Sequence, residues 1–271
     1  MGMEPAFREV AGRRLFTLRF RPPGEALRRV LVLPPFAEEM NKSRRLLAES
    51  ARVLAARGCD VLLADLSGTG DSAGDFGDAD WAQWRDEVAA LAAGFLDAPG
   101  PGTRTLLAVR TGALFLDLRG LVDDARVVAW QPVFEGERVL QQFMRLRVMA
   151  AKFAGREESL AALRAELDAG HAVEVAGYLL APGLAHGLAA ARLEPAALAP
   201  ARQVTLLEIR GGSGEAPSPP FERFTASARA AGGTLETRVV AAEQFWASQE
   251  IAAPVAVTEA TLAALLADRD E

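Results

Sequence analysis

Apolar residues fall along this chain in two alternating rhythms, short unbroken runs and stripes that recur about every 3.6 positions. The runs at 30–33, 61–64, 105–109, 127–130, 204–209 and 235–240 are rich in Val, Leu and Ile and predict buried strands. Stripes at 43–57, 81–96, 112–121, 221–231 and 257–267 predict the helices between and after them. In the second helix, Asp80 is placed to cap the first amides and Gln83 to reach back, while Trp81, Val88, Leu91 and Leu96 supply the face to bury. Ahead of these elements, segments 6–10 and 15–20 flank Ala11-Gly12 and end at Pro22-Pro23-Gly24, the pattern of an antiparallel hairpin. Strand and helix in alternation specify an α/β architecture, a mostly parallel sheet with helices on both faces.

One interval breaks the alternation. Segment 131–201, rich in Ala, Leu, Arg and Glu, is too long for an ordinary crossover and predicts an inserted helical cap. Its clearest helices are 138–151 and 158–168, with 173–180 extended. The expected organisation is therefore a core of 1–130 and 202–271 interrupted by a cap of 131–201, with a Gly/Ser/Pro loop at 211–220.

Half of the 271 residues are hydrophobic, enough for one substantial core. The single cysteine, Cys59, excludes an intramolecular disulfide and a cysteine-bound metal cluster, and neither a metal nor a cofactor is implied. A formal net charge of −6 with dispersed Lys and Arg argues against a nucleic-acid surface. No stretch reaches the roughly 18 apolar residues of a membrane span, and the opening MGMEPAFREVAGRR lacks a signal-peptide pattern, so the cytoplasm is the expected location.

Ligands in open α/β sheets bind beyond the carboxyl ends of the strands, so the residues following each strand carry the candidate chemistry. After the first parallel strand, Pro34-Pro35-Phe36-Ala37-Glu38-Glu39-Met40-Asn41-Lys42 crowds polar groups beside a helix start. After the second, Asp65 to Asp75 is a glycine-rich loop without the Gly-Lys-Ser/Thr ending of a phosphate loop, and Ser67 and Ser72 suit local turn hydrogen bonds. After the third, Ala108-Val109-Arg110-Thr111-Gly112 resembles the nucleophile elbow G-x-S-x-G, with Ala for the first Gly and Arg110 in the Ser position. A guanidinium stays protonated and has no lone pair with which to attack. After the fourth comes Gln131, which can orient a ligand but does not titrate. The two histidines, His171 and His186, lie in the cap, whereas the hydrolase histidine belongs after the last strand, where the chain reads Ala241-Ala242-Glu243-Gln244-Phe245-Trp246.

The runs PPFAEEMNKSRR, DLSGTGDSAGD, WQPVFEGE and VEVAGYLLAP, in this order, resemble the α/β-hydrolase-superfamily proteins termed exosortase A system-associated hydrolase 2. The resemblance implies an α/β-hydrolase fold, a hydrolase activity, and a setting beside exosortase, PEP-CTERM sorting and exopolysaccharide genes. It matches Phe36 to the oxyanion loop and Ser67-Gly68-Thr69-Gly70 to a loop that often reads Gly-His-Gly, here without the histidine. Glu208 and Glu215 lie near the place of a triad acid.

Two functions compete. In one, the chain hydrolyses an acyl ester or thioester without Ser or His: Arg110 stabilises an oxyanion, Glu38 or Glu39 activates water, and Phe36, Asn41, Thr111 and Gln131 hold substrate. In the other, a catalytically inactive hydrolase fold binds a small ligand or a partner protein of its pathway through the Arg110 pocket, with Arg110 paired to Glu38 or Glu39 and either filling the pocket or holding a carboxylate or phosphate. A third role, docking through the cap face of Gln141, Gln142, Phe143, Leu146 and Val148, ranks below both because such a face is expected to be core or cleft wall.

Overall fold

The computed structural model describes residues 2–100, 102–212, 214, 216–248, 250 and 252–266, and of Arg119 the backbone alone. The hairpin forms from β1 (Gly2–Val10) and β2 (Arg13–Arg21), longer than expected, in a register that pairs Val10 with Arg13. Ala11 and Gly12 both take positive φ, the backbone that a two-residue turn needs to match strand twist.

The remaining strands are β3 (Arg28–Leu33), β4 (Cys59–Ala64), β5 (Thr103–Val109), β6 (Arg126–Trp130), β7 (Val173–Val175), β8 (Tyr178–Leu180), β9 (Gln203–Arg210) and β10 (Leu235–Ala241). Eight strands make one sheet in the order β1-β2-β4-β3-β5-β6-β9-β10. Neighbouring strands from β4 through β10 in that order run parallel, while β2 pairs antiparallel with β4. The helices are α1 (Glu38–Ala56), α2 (Trp81–Phe95), α3 (Leu118–Leu121), α4 (Gly136–Phe153), α5 (Leu160–Asp168), α6 (Pro182–Ala190), α7 (Pro219–Ala230) and α8 (Val255–Leu266).

Successive strand residues point to opposite faces, and each face has its own core. Val30, Val32, Leu107, Val109, Val128 and Trp130 join α1 and α8 on one side. Leu31, Leu33, Leu106, Ala108, Val127 and Ala129 join α2 and α7 on the other. The segment between β6 and β9 packs on that second side, where Phe143 of α4 and Leu184 and Leu188 of α6 belong to the same apolar cluster as Phe36, Trp81 and Trp84. No described helix is long and apolar enough to cross a membrane.

Three local expectations change. The first helix begins at Glu38 rather than 43, because Glu38 and Glu39 suit the positive end of a helix dipole and their polarity had read as loop. The helix expected over 112–121 is instead a 3-10 turn, Arg110–Phe115, followed by the single turn α3. Asp80 does cap α2, accepting from Ala82 N at 2.8 Å, but Gln83 turns away to Glu87 Oε1 at 3.1 Å. Residue 267, the last of the expected final helix, and Glu215 lie outside the described residues. The extended segment 173–180 is a two-stranded hairpin, β7 against β8.

Candidate functional site

Three parallel strands deliver strained turns to one end of the sheet. Ala37 after β3 (φ 47°), Arg110 after β5 (φ 53°) and Gln131 after β6 (φ 40°) all have positive φ without being glycine. Such residues cost about 1–3 kcal/mol each and persist only where surrounding structure fixes them. The arrangement is tight: a Cβ on Gly112 would lie 2.2 Å from the Leu33 carbonyl oxygen, so the turn after β5 presses directly on β3.

Arg110 is held from three sides. Its Nη2 donates to Glu39 Oε1 at 2.9 Å and its Nε to Glu39 Oε2 at 3.2 Å, a two-pronged pair with the first turn of α1. Its Nη1 donates to the Gln131 carbonyl at 3.2 Å. Its guanidinium lies over the Trp246 ring, 4.6 Å from the centroid. The Arg110 side chain is only 13% exposed, so solvent screens the pair weakly. Of the two glutamates offered as partners, Glu39 takes the role.

Glu38 belongs to a second cluster. Its Oε2 accepts from the Tyr178 hydroxyl of β8 at 3.2 Å, and Asn41 Nδ2 donates to the Tyr178 oxygen at 2.7 Å. Burial, and secondarily the Glu38 charge and hydrogen bond, push the Tyr178 phenol up to about 12. This cluster ties the first helix to the β7–β8 hairpin.

A cavity of about 160 Å³ opens beside these groups, lined in part by Pro35, Phe36, Asn41, Trp84, Thr111 and Tyr178. Phe36 is buried and meets Phe143 edge-on with centroids 5.1 Å apart. Thr111 is 2% exposed, and its Oγ1 has no hydrogen-bond partner. A cavity of about 150 Å³ accommodates a benzene-sized molecule, while the Thr111 hydroxyl itself is sealed from solvent behind this wall. Arg110, one residue earlier, lines a separate cleft of about 480 Å³ together with Gln131, Arg138, Glu208, Phe221 and Arg223.

The other expected residues have structural work. Gln131 Oε1 accepts from Ile209 N at 2.6 Å, bracing β6 against β9. Glu208 accepts from Ser218 N at 2.8 Å and anchors the chain before α7. In the glycine-rich loop, Ser72 Oγ donates to the Asp65 carbonyl and accepts from Phe16 N, while Ser67 N donates to the buried Glu87. Asp65 pairs with Arg44 at 3.0 Å. His171 is exposed, and His186 meets Asp168 at 2.9 Å on the exposed surface. No group of three or more His, Cys, Asp or Glu among the described residues could hold a metal ion.

No family profile matches the sequence, and no curated protein matches it significantly. Solved structures do. Est1E from Butyrivibrio proteoclasticus, with ferulic acid bound, superposes with a TM-score of 0.66 at 15% identity over 98% of this chain and 100% of its own. The alpha/beta hydrolase GrgF from Penicillium sp. sh18 gives 0.63 at 15% identity, covering 100% of both chains. The thioesterase domain from the curacin biosynthetic pathway gives 0.56 at 14% identity over 98% of this chain and 99% of its own. The chain has the α/β-hydrolase fold. In that fold the sharp turn from strand to helix carries the nucleophile, and the strained turn after β5 carries Arg110 here. Trp246, which the sequence offered only as part of the stretch after the last strand, supplies the ring against which Arg110 is held. Tyr178 is a second residue of the site that its hairpin position alone did not flag.

Proposed function

We propose that this protein is a catalytically inactive α/β-hydrolase-fold protein that binds a small ligand in the cavity between the turn after β5 and the segment inserted before β9. The observation that carries this reading is the Arg110–Glu39 pair, clamped on Trp246, at the place where the fold puts its nucleophile. Arg110 cannot attack, and its cation occupies Glu39, the carboxylate nearest to serving as a base. Glu38 is engaged with Tyr178 and Asn41. On this reading the turn after β5 holds no nucleophile–base pair, and the strained backbone at Ala37, Arg110 and Gln131 shapes a binding site instead.

The ligand that fits is small, and the groups that would meet it are the aromatic edges of Phe36 and Trp84 and the polar side chains of Asn41 and Tyr178. The resemblance to exosortase A system-associated hydrolase 2 supports a place in exopolysaccharide and PEP-CTERM export, acting from the cytoplasm with a partner protein of that system. The second reading, hydrolysis through water activated by Glu38 or Glu39, draws on the strained turns at Ala37 and Arg110, which cluster at catalytic sites in general. Turnover separates the two. Purified protein and Arg110→Ala, both folded by circular dichroism, are assayed on acyl esters and acyl-thioesters of graded chain length. No turnover above the protein-free rate is expected for either; turnover by the wild type that collapses in Arg110→Ala establishes the hydrolase and overturns the binding reading.

A further inference from the structure

The longest stretch of one-sided charge in the chain lies on α4 and the turn after it. From Arg138 to Arg156 there are five basic residues and no acidic one, in a protein of net charge −6. Arg138 and Arg147 are neutralised by Glu135 and Glu158. No carboxylate among the described residues pairs with Arg145, Lys152 or Arg156, and all three are exposed.

Beside this basic row runs an apolar one. Leu146 and Met149 are each 49% exposed and Phe153 is 86% exposed. Spacings of three and four put them on one face of the helix, and Met149 is also within one turn of Arg145 and Lys152. Leu146, expected to be core or cleft wall, thus faces outward, while its neighbours Phe143 and Met144 are buried.

A row of exposed large apolar side chains edged by unpaired cations is the composition of a helix that lies in the plane of a bilayer surface, its apolar side among the acyl chains and its cations at the headgroups. We infer that the outward face of α4 docks this protein on an anionic lipid surface. Charge fixes the orientation: the molecule as a whole is repelled by such a surface, so only a locally cationic face can approach it. Phe153, at 86% exposed, is nearly free of contact with the rest of the protein, which favours insertion between lipids over reception of a peptide. Arg138, Val139 and Gln142, on the preceding turns, line the cleft beside Arg110, so docking brings the rim of that cleft to the lipid. The inference stands whether the site binds or hydrolyses.

Co-sedimentation of the full chain with vesicles tests it, using equal parts phosphatidylglycerol and phosphatidylcholine against phosphatidylcholine alone. Binding to the anionic vesicles is expected to be at least about tenfold stronger and to fall as salt rises. Arg145→Gln with Lys152→Gln is expected to weaken it about thirtyfold, roughly fivefold for each charge, and Phe153→Ser to weaken it as well. All three positions are exposed, so circular dichroism should be unchanged. Equal binding to both vesicle types, or binding indifferent to these variants, overturns the inference. No vesicle binding together with self-association abolished by Phe153→Ser also overturns it, in favour of a second copy on this face; no binding of either kind overturns it in favour of another protein.

Discussion

Tyr178 is the only tyrosine in the chain, which makes its environment directly readable. Burial and the adjacent Glu38 raise its phenol to about 12, so phenolate absorbance should rise about 2 pH units later than in the unfolded chain, where tyrosine titrates near 10. The folded state holds this proton more tightly than the unfolded state does. The stability it contributes is complete below about pH 10 and is lost as pH rises through about 12. Glu38→Gln should move the midpoint down only part of the way, because burial is the larger cause; no movement would show that Glu38 does not face the phenol. Arg110 and Glu39 form the other measurable pair. Arg110→Met and Glu39→Gln should each destabilise by about 1–3 kcal/mol in denaturant unfolding, with the double variant less destabilised than the sum. Strict additivity would mean the two are not coupled. The sequence showed that an arginine in this turn needs a carboxylate and that the preceding loop held two. It did not show which one, because choosing Glu39 over Glu38 depends on where α1 begins.

At the scale of elements, the turn after β5 depends on Gly112. Any Cβ there meets the Leu33 carbonyl oxygen at 2.2 Å, a backbone atom that cannot move aside without disturbing β3. Gly112→Ala should therefore cost on the order of 3 kcal/mol or more and disturb the Arg110 pair as well. A melting temperature within a few degrees of wild type would mean that β3 and this turn are less tightly pressed together. The strands were legible because each is a short apolar run whose alternate residues feed the two cores. The helix after the turn was not. Its residues Ala113, Leu114, Phe115 and Leu116 have helical composition, yet the first three close a 3-10 turn that ends at Phe115, and Leu116 leaves it. Tertiary packing against β3 and α2 outweighs local propensity there. Helix α6 also escaped individual notice, since Ala and Gly dominate its sequence and give it little amphipathic contrast.

At the scale of the molecule, the α/β-hydrolase fold sets three strained turns at one end of its sheet, and the turn after β5 carries Arg110. The strand order and the strained turns at Ala37, Arg110 and Gln131 could be anticipated only in part. Alternating strands and helices imply a parallel sheet, but not which strands are neighbours or which turns are strained. The Trp246 ring over Arg110 is a contact between residues far apart in sequence, brought together by the parallel register of β5, β6, β9 and β10. Covalent labelling tests the absence of an activated nucleophile most directly. The full chain is incubated with a fluorophosphonate, which phosphonylates activated serines, and its intact mass is measured beside that of a serine hydrolase treated identically. An unchanged mass of 28.8 kDa is the expected result, with the control fully labelled. A stoichiometric adduct, mapping to Ser67, Ser72 or any other serine, would show that the fold has an activated nucleophile away from Arg110 and would contradict the binding function.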